Sequence, residues 1–192
     1  MPLDIKPVDL PRQETSVRLR LRAATADLHA RVDASFSGPF EFDTAAYGDF
    51  LQALARSVLP LEQMLDMAHV ERLLPDWALR RRSSLLVRDL KVLGRSIPSL
   101  TPAPLAGNDA WLFGVLYVLE GSRLGGKVLL RRVLDNPDPT ARAATHYLQH
   151  GAVRNFWLNF VECLEASPCV TRAPADAIAG ARAAFAMFGT SA

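Results

Sequence analysis

The chain has 192 residues, enough to bury a hydrophobic core in one domain, and its 22 Lys and Arg against 20 Asp and Glu leave a formal net charge of +2. That balance lacks the electrostatic signature of a dedicated nucleic-acid binder, and no apolar run reaches the ~20 residues that cross a bilayer. Residues 1–12 contain no apolar signal-peptide core, and Cys163 and Cys169 are too few for a disulfide framework, so we expect a cytoplasmic protein without nucleic-acid or membrane partners.

Apolar residues recur at helical spacing from the first predicted element onward. After an extended segment over residues 1–14, a first helix is predicted over 15–34. Its apolar stripe contains Leu21, Thr25, Leu28 and Val32. Asp43 or Thr44 caps a second helix, which Pro60 kinks or restarts and which fades near residue 69.

The later elements follow the same pattern. A third helix is predicted over 75–93 and ends at Gly94, and the proline-rich stretch 96–107 is predicted to be a loop. Asn108 or Asp109 caps a long fourth helix that ends before the turn at 136–139. Two or three further helices complete the chain. The sequence therefore predicts an all-α, single-domain helical bundle over residues 15–192.

The fourth predicted helix carries an unusual glycine segment over residues 120–127. Gly121, Gly125 and Gly126 together cost about 2 to 3 kcal/mol relative to alanine, at roughly 0.5 to 1 kcal/mol each. A kink, or the close approach of another body to the bare backbone, would return that energy.

The first predicted helix carries a polar stripe beside its apolar one. Arg22, Ala26, His29 and Asp33 follow one another at spacings of four, three and four residues. A carboxylate one turn from a metal-binding histidine holds the second ring nitrogen, directly or through water. Arg22 lies ~10 Å from His29 along the helix. An ordinary exposed helix face explains the same spacing.

Other candidate sites are weaker. His146 and His150 are four residues apart but lack a third ligand, so a solvated pair is favoured over a metal clamp. The glycines lack phosphate-loop spacing, and Ser122 is not in a Gly-x-Ser-x-Gly elbow. The run Arg80 to Arg82 is interpreted as a solvated helix face or, alternatively, a docking patch.

Two segments resemble those of a known family. Residues 21–33, LRAATADLHARVD, look like the proximal-helix motif of heme oxygenases, and residues 113–129, FGVLYVLEGSRLGGKVL, look like their distal helix. The resemblance is to the bacterial biliverdin-producing branch, including enzymes that supply bacteriophytochromes. It extends from about residue 16 to 188.

This resemblance implies a role for each matched residue. His29 would be the axial ligand of the iron of heme b, and Asp33 its partner. Gly121, Ser122, Gly125 and Gly126 would lie over the opposite heme face, where the helix bends, and catalysis would depend on Gly121, Ser122 and Gly125. Arg22 and Arg154 match basic positions that meet the heme propionates, and Phe185 would line the pocket.

The resemblance also implies the reaction, in which heme serves as both prosthetic group and substrate. Dioxygen and electrons from a ferredoxin or reductase would convert it to biliverdin, carbon monoxide and ferrous iron. Ser122 stands where animal members carry an aspartate that organises proton delivery. Ala26 and Leu158 replace two further basic positions, so heme could sit rotated in its plane.

Two alternatives remain at this point. The chain is a non-catalytic heme-binding or carrier protein, for which Ser122 is the suggestive feature, or it shares only the helical scaffold, as thiaminase-like and di-iron proteins do. The sequence shows no Glu-x-x-His spacing of the kind that a di-iron site needs.

Overall fold

The computed structural model describes residues 16–36, 43–150 and 155–189, with the backbone alone for residues 33–36 and 189. All regular structure in these ranges is helical, as predicted. The helices are α1 (Val17–Ala24), α2 (Ala26–Phe36), α3 (Thr44–Met67), α4 (Trp77–Arg80), α5 (Ser83–Val92), α6 (Asp109–Leu134), α7 (Pro139–Ala143), α8 (His146–Gln149), α9 (Phe156–Ala166), α10 (Pro168–Arg172) and α11 (Pro174–Gly189). A 3₁₀ turn, Val70–Arg72, precedes α4.

The first predicted helix is divided in two at Thr25. This residue has φ −121° and ψ 10°, and its hydroxyl donates a 2.8 Å hydrogen bond to the Leu21 carbonyl. The Ala24 carbonyl accepts a 2.9 Å hydrogen bond from Arg182 of α11. The Thr25 hydroxyl and Arg182 of α11 therefore compete for backbone carbonyls and break a helix that the sequence pattern predicts to be continuous.

One of the two alternatives at Pro60 and one further prediction about helix continuity are wrong. Pro60 does not restart the second helix, because α3 runs through it from an Asp43 cap whose carboxylate accepts from the Ala46 N–H at 2.7 Å. The third predicted helix is two helices, because the Glu62 carboxylate accepts from the backbone N–H groups of Arg82 and Ser83 and so caps α5.

The remaining boundaries agree with the prediction more closely. Gly94, with φ 66°, ends the α5 region, and the following segment up to Gly107 has no regular structure. Asn108 caps α6 by accepting from the Trp111 N–H at 3.1 Å. After α6 the described part contains five helices instead of two or three, because three of them have only four or five residues.

The core of the bundle is centred on α6, which packs along α11 and also contacts α3, α8 and α9. The predicted stripe of the first helix faces this core: Leu21 and Thr25 are buried, and Leu28 and Val32 pack against it. No helix in the described ranges is long and apolar enough to cross a membrane.

Candidate functional site

His29 lies on α2, one turn after the Thr25 break, and its side chain is exposed. The edge of its imidazole meets the Phe185 ring of α11, with centroids 5.8 Å apart and planes at 60°. Arg182, three residues before Phe185, pairs with Asp27 at 3.4 Å. The last helix therefore holds α2 and the His29 imidazole from one side.

A carboxylate from α9 holds the start of α1. Glu165 accepts hydrogen bonds from the Val17 and Arg18 N–H groups, each at 2.9 Å, and from the Ser16 hydroxyl. Burial acts to raise the pKa of Glu165, but these hydrogen bonds outweigh it and lower that pKa below its usual value. An ionised Glu165 thus fixes the helix that carries Arg22.

The first half of α6 is pressed against α11 at two glycines. A Cβ on Gly114 would lie 2.0 Å from the Ala177 carbonyl oxygen, and a Cβ on Gly180 would lie 2.0 Å from that of Trp111. Only glycine fits at these two positions, because the obstruction is backbone on both sides. This crossing sets the position of Phe185 relative to the rest of α6.

The second half of α6 has an open face. Among the described residues, a Cβ on Gly125 would meet nothing within 4 Å, and one on Gly121 would meet only the Trp157 ring, at 3.6 Å. Leu124 and Val128, which share this face at helical spacing, are 45% and 62% exposed. We call the face formed by Gly121, Leu124, Gly125 and Val128 the open glycine face.

The structure does not bring every predicted glycine to this face. Gly126 is directed toward α8, where an added Cβ would lie 3.6 Å from Leu148. The helix runs without interruption from Asp109 to Leu134. Its glycines thus divide between an open side and a packed side.

The Ser122 hydroxyl is held on the flank of the open glycine face. It donates to the Leu119 carbonyl at 2.7 Å and accepts from Arg82 Nη2 at 2.9 Å. A hydroxyl has one proton to donate, so Ser122 has none left for a group in the open space.

A buried ionic cluster lies behind Ser122, and the sequence analysis missed it. The Glu120 carboxylate pairs with Arg80 at 2.8 Å and with Arg123 at 2.9 Å, and Arg80 also pairs with Asp76 at 2.6 Å. The predicted solvated face or docking patch over Arg80 to Arg82 is therefore wrong for Arg80 and Arg82, which are 1% and 3% exposed. Arg81 is exposed and pairs with Asp66 at 3.0 Å.

Phe156 is the aromatic centre of this cluster. The guanidinium groups of Arg80 and Arg123 lie 4.9 and 4.8 Å from its ring centroid, and His150 stacks on it at 5.6 Å. Burial, with the charges of Arg123 and Arg82, lowers the pKa of His150 to about 4. The neutral ring nitrogen Nδ1 can therefore accept from Arg123 Nη1 at 3.0 Å.

The two histidines of α8 and its C-cap do not form the solvated pair that the sequence predicted. His146 Nδ1 contacts the Asp89 carboxylate at 2.7 Å, whereas His150 contacts Arg123. Among the described residues, no group of three or more His, Cys, Asp or Glu side chains is arranged to hold a metal ion.

Tyr117 is a second residue that the sequence analysis missed. It lies one turn before Gly121 and packs against Trp157, with ring centroids 5.8 Å apart. Burial raises the pKa of its phenol, while the charges of Arg22 and Arg18 act to lower it. The guanidinium groups of α1 are therefore within electrostatic reach of α6. The helical spacing from Gly121 was the signal that could have identified Tyr117.

The structure describes no side chain for two of the predicted site residues. Arg154 lies outside the described residues, and for Asp33 only the backbone, within α2, is described. The two cysteines are free and half-buried.

Comparisons with known proteins agree on one family. A family model described as heme oxygenase matches residues 15–191. A heme oxygenase of Xanthomonas campestris pv. campestris (strain 8004) is 36% identical over 154 residues, which cover 80% of this chain and 92% of that protein. The NO- and CO-bound heme oxygenase from Neisseria meningitidis superposes with a TM-score of 0.75 at 28% identity, over 92% of this chain and 89% of that one. Heme oxygenase from Leptospira interrogans shares the fold, with a TM-score of 0.68 at 16% identity over 92% and 98% of the two chains.

Proposed function

The chain belongs to the heme oxygenase family, and from that premise we propose how its own residues bind heme and direct its cleavage. Heme b is both prosthetic group and substrate, and when bound it supplies the iron centre and the porphyrin that is opened to biliverdin, carbon monoxide and ferrous iron. The residues of the protein bind the heme, orient it and shield it.

The observation that carries this proposal is the open glycine face of α6. Space above Gly125 and the exposed side chains of Leu124 and Val128 suit a flat, apolar ligand that covers them. Gly121 and Gly125 let the backbone approach that ligand closely, since neither carries a side chain. Gly126 lies on the other side of α6, which packs against α8.

His29 is the axial ligand in this proposal. Its imidazole is exposed on α2 and is restrained by its edge contact with the ring of Phe185, which lines the same pocket. Asp33, one turn further along α2, holds the second ring nitrogen, directly or through water, and so raises the basicity of the ligand.

A cationic edge binds the two carboxylates of heme. Arg22, with Arg18 on the same helix, contributes positive charge close to the Tyr117 phenol, and Arg154 provides a second basic group. Positive charge at this edge matches the heme carboxylates, and apolar surface at the centre matches the porphyrin ring. Together they fix the orientation of the heme.

Proton delivery depends on ordered water near Ser122 and the neighbouring backbone. The Ser122 hydroxyl accepts from Arg82 and donates to Leu119, so it can accept a further hydrogen bond but has no second proton to give. Water bound there, and not the hydroxyl itself, passes protons into the site.

The finer assignments complete the proposal. Electrons come from an external donor, either a ferredoxin or a reductase, and the exposed basic residues Lys127, Arg131 and Arg132 offer it a surface on the half of α6 that carries the open face. Biliverdin is supplied to a bacteriophytochrome, and the reaction takes place in the cytoplasm.

The experiment is a hemin titration of the purified protein, followed by reductant and air. Stoichiometric binding and loss of the main heme band, with biliverdin appearing, are expected. Stable heme would leave only the carrier alternative, and absence of binding would exclude both.

A substitution tests the axial ligand directly. His29→Ala should abolish the wild-type iron spectrum, whereas the control His69→Ala, at a side chain 78% exposed on the αL turn before Val70, should leave it unchanged. An unaltered spectrum in His29→Ala would show that another residue ligates the iron.

A further inference from the structure

Three arginines are buried beside α6, and one of them differs from the other two. Arg80 and Arg123 share the Glu120 carboxylate, and Arg80 also pairs with Asp76. The Arg82 guanidinium has no carboxylate within ion-pair distance among the described residues, although its side chain is nine-tenths or more buried. The Glu62 carboxylate is bonded to the Arg82 backbone N–H and forms no ion pair with the guanidinium in the described part of the chain.

The partners of the Arg82 guanidinium are neutral. Nη2 donates to the Leu119 carbonyl at 2.8 Å and to the Ser122 hydroxyl at 2.9 Å, and the group lies 4.6 Å from the centroid of the Tyr147 ring. Its Nε is buried and has no hydrogen-bond partner in the described part of the chain. A buried charge without a counter-ion is costly, so its retention needs a compensating interaction.

The position of the Arg82 guanidinium beside α6 indicates which interaction compensates its charge. Arg82 meets α6 at the Leu119 carbonyl and at the Ser122 hydroxyl, and this hydroxyl lies on the flank of the open glycine face. Both contacts are with neutral groups, a backbone carbonyl and a hydroxyl. The guanidinium charge, which has no ion-pair partner in the described part of the chain, therefore acts on a ligand that binds over the glycines.

We propose that Arg82 is a positioning residue of the distal site, which fixes the Ser122 hydroxyl and favours anionic ligands over the open glycine face through its unpaired charge. This inference rests on the proposed heme binding. Residue 122 is a serine and not an acid, so it supplies no negative charge. The positively charged Arg82 guanidinium instead attracts negative charge.

The test compares a charged with a neutral ligand on the hemin-loaded protein, by optical titration. Arg82→Gln should weaken azide binding to the ferric form roughly tenfold, the scale of a unit charge acting across about 10 Å at an effective dielectric constant near 20. Carbon monoxide binding to the ferrous form should change less than about twofold, since that ligand is neutral. Arg82→Lys, which keeps the charge, should restore azide binding.

Arg81→Gln is the matched control, because Arg81 is the neighbouring residue of the same type but is exposed and paired with Asp66. It should leave both affinities unchanged. Equal weakening of azide and carbon monoxide in Arg82→Gln would mean that Arg82 is merely structural, and unchanged azide affinity would also overturn the inference.

A second variant covers the case in which Arg82→Gln does not fold. Ser122→Ala removes the hydroxyl and keeps the charge, so the preference for azide over carbon monoxide should persist. Its loss would assign the preference to the hydroxyl and overturn the role of Arg82. A wild-type protein that binds no hemin would instead refute the proposed function.

Discussion

The two halves of α6 use glycine for opposite reasons. From Leu112 to Glu120 the helix is buried, and Gly114 is required because the α11 backbone occupies the space where a Cβ would stand. From Leu124 onward it is mostly exposed, and Gly125 faces open space. Packing within the protein compensates the energetic cost of Gly114, whereas in the proposed function the bound heme compensates that of Gly125. Glu120, between the halves, joins the helix to the buried arginines.

The largest effect on stability is expected at that junction. Glu120→Gln preserves shape but leaves Arg80 and Arg123 without their shared charge, which should lower the free energy of unfolding by about 3 to 5 kcal/mol. Chemical denaturation measures it. Asp109→Asn, at an exposed pair with Arg72, is the control and should cost less than about 1 kcal/mol. A similar cost for both variants would contradict the importance of the buried cluster.

Gly114→Ala should give the next largest loss. The new methyl would overlap backbone atoms of α11, and overpacking of this kind costs about 1 to 3 kcal/mol, which exceeds the gain in helix propensity. The expected decrease in Tm is roughly 2 to 9 °C by calorimetry. An unchanged Tm would show that α6 and α11 can separate at little cost.

The acid stability of the cluster depends on His150. Its pKa is about 4 in the folded protein and near 6.5 when unfolded, so the unfolded state binds the extra proton between these values and stability falls as the pH decreases from 6.5 to 4. Allowing for its partial exposure, we expect a loss of about 1 to 2 kcal/mol. His150→Gln should flatten this part of the stability profile, measured by denaturation at each pH.

Gly125→Ala should have the smallest effect on stability, and of opposite sign. Because the methyl enters open space, the apoprotein should gain up to about 1 kcal/mol from helix propensity. Hemin affinity and turnover should fall, since the methyl occupies the surface proposed for heme. A higher Tm together with weaker hemin binding would sharpen the contrast with Gly114. Unchanged hemin affinity would remove Gly125 from the site.

The helices were predictable wherever local chemistry sets them. The Asn108 cap, the end at Gly94 and the proline-rich loop depend on residues close in sequence. The breaks at Thr25 and before Ser83 were not predicted, because Arg182 and Glu62 contribute to them from 158 and 21 residues away. Periodicity carries no information about such partners.

The same distinction applies to the site. By itself the sequence determined the family, the resemblance of the segment around His29 to the family's proximal helix and the cost of placing three glycines in one helix, because motifs and propensities are local properties. Only the tertiary structure decided which glycines are open, that Arg80 and Arg82 are buried, and that Ser122 is bonded to Arg82. A sequence shows which residues are charged but not where their side chains lie, since burial and pairing depend on helices that meet only after folding.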